Sequence, residues 1–186
     1  MFLNHFFNDC SNLLHASRFS SSNEPKPSSM ISEFVFDIDD TLIIHINENT
    51  DYYNNRGHTQ LKELIQNSIS DHNYIYTNGT YGHAEGVTNA LNIRDDMRLM
   101  FARDTIPDMK PYIDSFKHVH KLINRNLQRV SNEYYFFDDL PENLFTAKQL
   151  GWITICIHPN FNEQKKHDFI DFSFPNIYQA LLHFQR

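Results

Sequence analysis

Three aspartates within four positions, Asp37, Asp39 and Asp40, directly follow the apolar run Phe34–Phe36. Where a strand passes into a loop, the carboxyls of Asp37 and Asp39 can converge on one site. Crowded carboxylates repel one another unless a cation binds among them or they share a proton. The spacing therefore predicts a cation site. The alternative is that Asp40 and Thr41 cap a helix while the other acids are solvated.

The other residues that could take part in chemistry also lie near the ends of predicted strands. Thr77 and Asn78 end one apolar run, and Asp138 and Asp139 follow another. Lys110 lies in a loop that leads into a predicted helix. In open α/β sheets, chemistry takes place at the carboxyl ends of the strands. We therefore expect these residues and the acidic cluster to share one edge of a sheet.

These residue types suit the transfer of a phosphoryl group. A carboxylate can attack phosphorus and form an aspartyl-phosphate, which divides one difficult displacement into two easier ones. A metal ion held by further carboxylates would neutralise the phosphate. The hydroxyl of Thr77, together with backbone N–H groups there and at Asn78, can hold phosphate oxygens. Lys110 supplies a compact positive charge to the same oxygens and to the nucleophile.

Segments with strand and helix patterns alternate along the chain from Glu33 onward. Strands that alternate with helices form a parallel sheet with right-handed crossovers. The sequence therefore predicts a three-layer α/β/α sandwich around a Rossmann-like parallel sheet. The predicted strands are Phe34–Asp37, Tyr74–Thr77, Met97–Ala102, Tyr134–Phe137 and Ile153–Ile157, and the predicted helices run from Gly57 to Ile69, Gly82 to Leu91, Pro111 to Ile123 and Pro141 to Leu150.

The composition excludes several classes of protein. The 186 residues, 40% of them hydrophobic, suffice for one globular domain. No apolar run approaches the roughly 20 residues of a membrane span. The net charge of −7 argues against a general nucleic-acid-binding surface, which would be basic. Cys10 and Cys156 are too far apart in sequence to suggest a disulfide framework or a zinc site, so a reducing, cytoplasmic setting is the default prediction.

Residues 1–32 differ from the rest of the chain and are predicted to form a disordered tail and linker ahead of a domain at 33–186. Ser20–Ser29 is polar, contains prolines and has nothing to bury. The preceding segment is too broken by polar residues for a secretory signal. It also has one Arg and an Asp, unlike a transit peptide, so organelle targeting is the less favoured alternative.

The chemical residues, in this order, resemble the four motifs of the haloacid dehalogenase (HAD) superfamily of phosphohydrolases, across residues 34–158. The match to the first motif is Asp37-Ile38-Asp39-Asp40-Thr41-Leu42, and Thr77 matches the second. Lys110, followed by proline, is similar to the third motif, and Asp138-Asp139 to the fourth. Within the superfamily, the chain is similar to the pyrimidine 5′-nucleotidase-like branch at Tyr76–Ala84, Phe101–Asp104 and Asp138–Leu144.

The resemblance implies a role for each acid. Asp37 would attack the phosphate, and Asp39 would protonate the leaving oxygen and then activate water. The family binds Mg²⁺ through the nucleophile's carboxylate, the backbone carbonyl of the second aspartate and an acid of the fourth motif. Here Asp139 is favoured as the direct ligand, with Asp138 supporting it. For Thr41, positioning in the phosphate-binding loop and capping of a helix are equal alternatives.

The sequence departs from this branch where a helical cap is usually inserted, between the first two motifs. His45–Arg56 is long enough for a flap but too short for a lid domain. Between Thr77 and Lys110 there is room only for a helix, a strand and a loop. The sequence therefore predicts an open site without a cap. Such a site would admit a nucleoside monophosphate or a larger phosphorylated molecule, and a second subunit could cover it.

The function predicted from the motifs is that of a Mg²⁺-dependent phosphomonoester hydrolase. The alternative is a non-catalytic binding or regulatory protein on the same fold. A phosphorylation-dependent receiver fits less well, since its phospho-accepting Asp would follow the third strand, where this chain has Arg103-Asp104. His83 could contact the substrate or serve as a capping or surface residue. Tyr52 and Tyr53 could stack on a base or simply pack.

Overall fold

The fold is described from a computed structural model, in which residues 31–44, 59–127 and 132–186 are described. Strands and helices alternate in these ranges as predicted. The strands are β1 (Ile31–Phe36), β2 (His72–Tyr76), β3 (Met97–Phe101), β4 (Asn132–Asp138), β5 (Ile153–Ile157) and β6 (Phe172–Phe174). The helices are α1 (Thr59–Gln66), α2 (Tyr81–Ala90), α3 (Ile113–Leu127), α4 (Pro141–Gln149), α5 (Phe161–Gln164) and α6 (Ile177–His183).

The described strands form one parallel sheet in the order β3-β2-β1-β4-β5-β6. The chain moves outward from β1 to β3 and then returns to place β4 on the other side of β1. This reversal makes the space beyond the carboxyl ends of β1 and β4 a topological switch point, where open α/β sheets bind their ligands. Asp37 and Asp138 lie at this point.

Helices cover both faces of the sheet, so the predicted three-layer sandwich is confirmed. Alternation along β1 sends Phe34 and Phe36 into one core, which α1, α2 and α6 complete. Val35 points into the other, which α3 and α4 complete together with the fully buried Phe116 and Trp152. Burial of each large apolar side chain contributes about 1.5–3 kcal/mol. The two cores therefore hold the strand ends in fixed positions.

The structure corrects some of the predicted boundaries. Ile31 and Ser32, assigned to the tail, belong to β1, and α3 begins at Ile113 rather than Pro111. Three elements that the sequence did not predict, α5, β6 and α6, complete the sheet and one of its faces. The remainder of the predicted tail and the flap at His45–Arg56, with Tyr52 and Tyr53, lie outside the described residues. Within the described ranges, every helix is too short or too polar to cross a membrane.

Candidate active site

The acidic cluster lies in a tight turn after β1. The carbonyl oxygen of Ile38 accepts hydrogen bonds from three successive backbone N–H groups, those of residues 41–43, at 2.9–3.3 Å. Asp40 has a φ of 57°, a left-handed conformation that Asp tolerates better than most residues. The Ile38 side chain is fully buried and anchors the turn. Because the chain folds back so sharply, Asp37 and Asp39 both line one surface depression.

The two residues after Asp39 behave differently from each other. Asp40 forms part of the turn. Asp40–Leu42 is not the start of a helix in the described chain up to Ile44, so the capping alternative for Thr41 is wrong. The hydroxyl of Thr41 is buried and has no hydrogen-bond partner among the described residues. The phosphate-loop role of Thr41 is the prediction that stands.

Lys110 is a buried cation at the centre of the site. Its Nζ lies 2.8 Å from Oδ1 of Asp37 and 2.6 Å from Oδ2 of Asp138. The rings of Tyr76 and Phe136 lie 5.3 and 5.4 Å from the same nitrogen, within the range of a cation–π contact. Burial opposes the charge, but the two carboxylates outweigh it and raise the pKa of Lys110 above its ordinary value. The lysine is therefore a fixed positive charge against Asp37.

The loop that carries Lys110 is held by Asn78. The Asn78 amide accepts a hydrogen bond from the Lys110 backbone N–H and donates one to the Lys110 carbonyl, each at 2.9 Å. The side chain of Asn78 thus positions the lysine loop, and the phosphate contact expected of its backbone N–H stays a prediction. Thr77 is buried, and its Oγ1 accepts a hydrogen bond from the Gly79 N–H at 2.9 Å. Thr77 and Asn78 both line the depression.

The two acids after β4 occupy different environments. Asp138 is fully buried, and its Oδ1 accepts hydrogen bonds from the Leu140 N–H and the Asn143 amide, both at 2.9 Å. Its Oδ2 accepts a hydrogen bond from Nζ of Lys110. Asp139 is half-buried and lines the depression. Sequence reasoning missed Asn143; its place in the first turn of α4, five positions after Asp138, was the available signal.

An open depression of about 340 Å³ brings most of the predicted site residues together. Two of the predicted residues, Thr41 and Asp138, are buried and do not line it. The other six predicted residues line the depression, together with four residues that were not predicted. The lining consists of Asp37, Asp39, Asp40, Thr77, Asn78, Gly79, Lys110, Asp139, Leu140 and Asn143.

Three carboxylates form a group suited to a hard cation. One oxygen from each of Asp37, Asp138 and Asp139 lies within 4.8 Å of the others. Burial, offset in part by Lys110, raises the pKa of Asp37. Burial and the neighbouring Asp138 raise the pKa of Asp139 to about 7. A divalent cation would relieve this repulsion, and an oxygen-only donor set fits Mg²⁺. The Asp39 carboxylate is not part of the group.

Asp39 contacts a residue from another element. Oδ1 of Asp39 lies 2.9 Å from Nε2 of His83, in the first turn of α2. The side chain of Asp39 is 35% exposed, so it is open to a bound molecule as well. This bond was not among the roles considered for His83, which were a substrate contact or a capping or surface role.

Comparison with solved structures shows the same fold in hydrolases. The chain matches a haloacid dehalogenase-like family hydrolase from Streptococcus pneumoniae with a TM-score of 0.57 at 14% identity, covering 83% of this chain and 99% of that one. It matches CbbY from Rhodobacter sphaeroides, solved in complex with phosphate, with a TM-score of 0.54 at 13% identity, covering 81% and 96%.

A third match is L-2-haloacid dehalogenase from Xanthobacter autotrophicus, solved with chloropropionic acid covalently bound. Its TM-score is 0.52 at 14% identity, and the match covers 70% of this chain and 62% of that one. No protein-family profile and no curated protein matches the sequence. The chain therefore has the fold of haloacid dehalogenase-like hydrolases. Its placement in the nucleotidase-like branch and the absence of a cap remain predictions.

Proposed function

We propose that this protein is a Mg²⁺-dependent phosphomonoester hydrolase that acts through an aspartyl-phosphate on Asp37. The observation that carries the proposal is the placement of Asp37 between a buried lysine, 2.8 Å from its carboxylate, and the acid Asp139, in one open depression. A nucleophile, a fixed cation and a set of metal ligands are the components that phosphoryl transfer requires.

In the first step, a carboxylate oxygen of Asp37 attacks phosphorus and the bond from phosphorus to the leaving oxygen breaks. Asp39 delivers a proton to that oxygen, so the product leaves as an alcohol. Lys110 neutralises charge on Asp37 and on the phosphoryl oxygens throughout. Asp37 and Lys110 are buried, and the low dielectric around them strengthens the interaction between their charges.

In the second step, the Asp39 carboxylate takes a proton from water, and the water oxygen attacks phosphorus. The bond between phosphorus and the Asp37 oxygen breaks, which releases inorganic phosphate and restores both aspartates. Thr77 and the backbone N–H of Asn78 hold phosphoryl oxygens in both steps. Thr41 positions the loop that carries the two reacting acids.

The residues that would hold Mg²⁺ are Asp37 and Asp139 through their carboxylates and Asp39 through its backbone carbonyl. When bound, the ion neutralises the phosphate and reduces its repulsion from the nucleophile. Asp139 is the better direct ligand of the fourth-motif pair because it lines the depression. Both oxygens of Asp138 already accept hydrogen bonds from Lys110, Leu140 and Asn143, so this acid orients its neighbours.

The substrate class is inferred from an open depression whose lining residues are mainly polar or charged. Its lining includes one large apolar side chain, Leu140, so the described residues offer contacts to a phosphate and few to the rest of a molecule. We propose a nucleoside monophosphate or a larger phosphorylated molecule, such as a phosphoprotein. A phosphate-release screen across nucleotides, sugar phosphates and phosphopeptides tests this, and strong selectivity for small nucleotides would count against the larger class.

The test of the reaction is turnover of an aryl phosphate with and without Mg²⁺. We expect turnover that requires Mg²⁺, is lost on chelation and is abolished in Asp37→Asn. Asp114→Asn, at an exposed acid on α3 that pairs with Lys117, is the matched control and should retain full activity. A correctly folded wild-type protein that binds Mg²⁺ and phosphate but turns over no phosphomonoester would support the non-catalytic alternative instead.

A further inference from the structure

The hydrogen bond between His83 and Asp39 joins two elements that are far apart in sequence. Nε2 of the imidazole lies 2.9 Å from Oδ1 of the carboxylate, across a separation of 44 residues. When the proton of the neutral ring is on Nε2, the imidazole donates to this carboxyl oxygen. The histidine side chain is 22% exposed, which places the ring between α2 and the depression rather than on the open surface.

The backbone of His83 is fixed by the start of α2. Its N–H donates to Oγ1 of Thr80, the N-cap, at 3.2 Å. The N–H of Tyr81 is also held, because it donates to Oδ1 of Asp104 at 2.8 Å. The carbonyl of Gly79 accepts a hydrogen bond from the N–H of Arg103 at 3.1 Å. The ring therefore extends toward Asp39 from a rigid base.

Gly79 provides the space that the ring occupies. A Cβ added at this position would lie 2.9 Å from Cδ2 of His83 and 3.2 Å from Oγ1 of Thr77. It would also lie 3.7 Å from Oδ2 of Asp39. A methyl group would therefore displace the ring and crowd the Thr77 hydroxyl, whereas its distance to the Asp39 carboxylate is an ordinary contact. Because Gly79 has no side chain, the His83 ring has the room it needs to reach Asp39.

We propose that His83 is a positioning residue that holds the carboxyl of Asp39 in the orientation needed for proton transfer. This inference rests on the acid/base role assigned to Asp39 in the proposed function. A partly exposed carboxyl rotates about two side-chain bonds, and the hydrogen bond selects one arrangement. Proton transfer depends steeply on geometry, because the donor must lie within hydrogen-bond reach of the leaving oxygen.

A positioned acid matters most when the leaving group is poor. The test compares His83→Leu, which removes the donor, with His83→Gln, whose amide can place an N–H near the position of Nε2. Single-turnover release of the leaving group is measured with an alkyl phosphate and with p-nitrophenyl phosphate. We expect His83→Leu to slow the alkyl reaction roughly 10- to 100-fold and the nitrophenyl reaction about 3-fold or less, with His83→Gln restoring most of the alkyl rate.

Two further variants separate positioning from general damage. Gly79→Ala should also slow the alkyl reaction more than the nitrophenyl reaction, because it displaces the intact ring. Its methyl group also crowds the Thr77 hydroxyl, which adds a smaller loss common to both substrates. In an Asp39→Asn background, His83→Leu should cause little further loss, since both changes remove the same function. His118→Leu, at a half-buried histidine on α3, is the matched control and should leave both rates unchanged. Equal losses on both substrates, or additive losses in the double variant, would overturn the proposal.

A readout that needs no activity keeps the inference separate from the proposed function. Proton–nitrogen correlation spectra of the wild-type ring should show the His83 Nε2–H, with its proton shifted on Asp39→Asn. If the wild-type protein turns over no phosphomonoester while this signal is present, the proposed function fails and the contact stands. If turnover is observed but the proton is on Nδ1 only, the positioning role fails alone.

Discussion

Two buried carboxylic acids on the same strand have different surroundings. Glu33 lies in β1 and Asp37 directly follows its last residue, so extended backbone would point both side chains to the same face of the sheet at a spacing of about 13 Å. Burial raises the pKa of Glu33 to about 8 and raises the pKa of Asp37 as well. A shifted pKa alone would therefore mark both as functional candidates.

The difference lies in what each acid faces. Glu33 is fully buried near the amino end of its strand, with Nδ1 of His72 3.3 Å from its Oε1. Asp37 faces a buried lysine and opens into a depression lined by other acids. The comparison teaches that convergence of several chemical groups on an accessible space, rather than the pKa of one acid, identifies the site.

The strongest test of the difference between Asp37 and Glu33 is to neutralise each acid in turn. Asp37→Asn should reduce phosphatase turnover by roughly 10⁴-fold or more, as loss of a nucleophile does in other enzymes. Glu33→Gln should leave kcat within about 2-fold, because this acid reaches no part of the site. Steady-state kinetics on an aryl phosphate measures both. A large loss of kcat in Glu33→Gln, with the fold intact, would show that Glu33 also contributes to the active site.

Removal of the lysine should have the largest effect on stability. Lys110→Met leaves Asp37 and Asp138 buried without their cation, and breaking a buried pair in this way costs about 3–5 kcal/mol. Chemical denaturation measures the change in the free energy of unfolding. Lys117→Met removes an exposed lysine that pairs with Asp114. This control variant should change the free energy of unfolding by about 0.5 kcal/mol or less.

The pH dependence of stability, measured with and without Mg²⁺, distinguishes Glu33 from the acids of the active site. A carboxyl with a raised folded-state pKa keeps its proton in the folded protein after the unfolded chain has lost it. Stability without metal should therefore fall between about pH 4 and 8, as Asp139 and Glu33 titrate near their pKa values of about 7 and about 8. Because Mg²⁺ needs ionised ligands, its stabilisation should grow over the same range.

Thermal unfolding across this range, with and without Mg²⁺, measures both effects. Asp139→Asn should flatten the metal-free pH profile and abolish the shift caused by Mg²⁺. Glu33→Gln should flatten the profile but leave the Mg²⁺ shift intact. An equal loss of the Mg²⁺ shift in both variants would show that the two acids do not belong to separate regions.

The smallest expected effect concerns the support of Asp138. Asn143→Ala removes one of the hydrogen bonds to Oδ1 while the Leu140 N–H and Lys110 remain. We expect a loss of about 1–2 kcal/mol in the free energy of unfolding and a fall in activity of roughly 10-fold or less. Asn176→Ala, at the cap of α6 on the other side of the sheet, gives a stability control that should leave kcat unchanged.

The sequence predicted the elements whose patterns are long or chemically marked. β1, β2 and β4 are apolar runs ended by polar site residues, and the sheet class follows from their alternation with helices. β6 was missed because Phe172–Phe174 is three residues long and half-buried, which gives no usable periodicity. Its place in the sheet depends on β5, which only the folded chain brings alongside it.

Most of the predicted site residues line one depression, but their partners could not be predicted. Asn78 was expected to hold phosphate through its backbone N–H, and the bonds from its side chain to the backbone of Lys110, 32 residues away, were not foreseen. The bond from His83 to Asp39 was not foreseen either. Such contacts depend on side-chain rotamers and on loops from different crossovers, for which one sequence carries no spacing rule. Short motifs in the sequence identify the residues that could act in chemistry, but the orientation of their side chains depends on distant parts of the chain.

The central pairing of the sheet has a consequence for how the protein reaches its native state. Ile31 pairs with Asn132, 101 positions later in the chain. Bringing such distant segments together is entropically costly, so this pairing is slow compared with formation of the helices. It also brings Asp37 and Asp138 to the same edge, so their repulsion acts on the late stage of folding. We expect refolding to be faster when a cation is present to screen that repulsion.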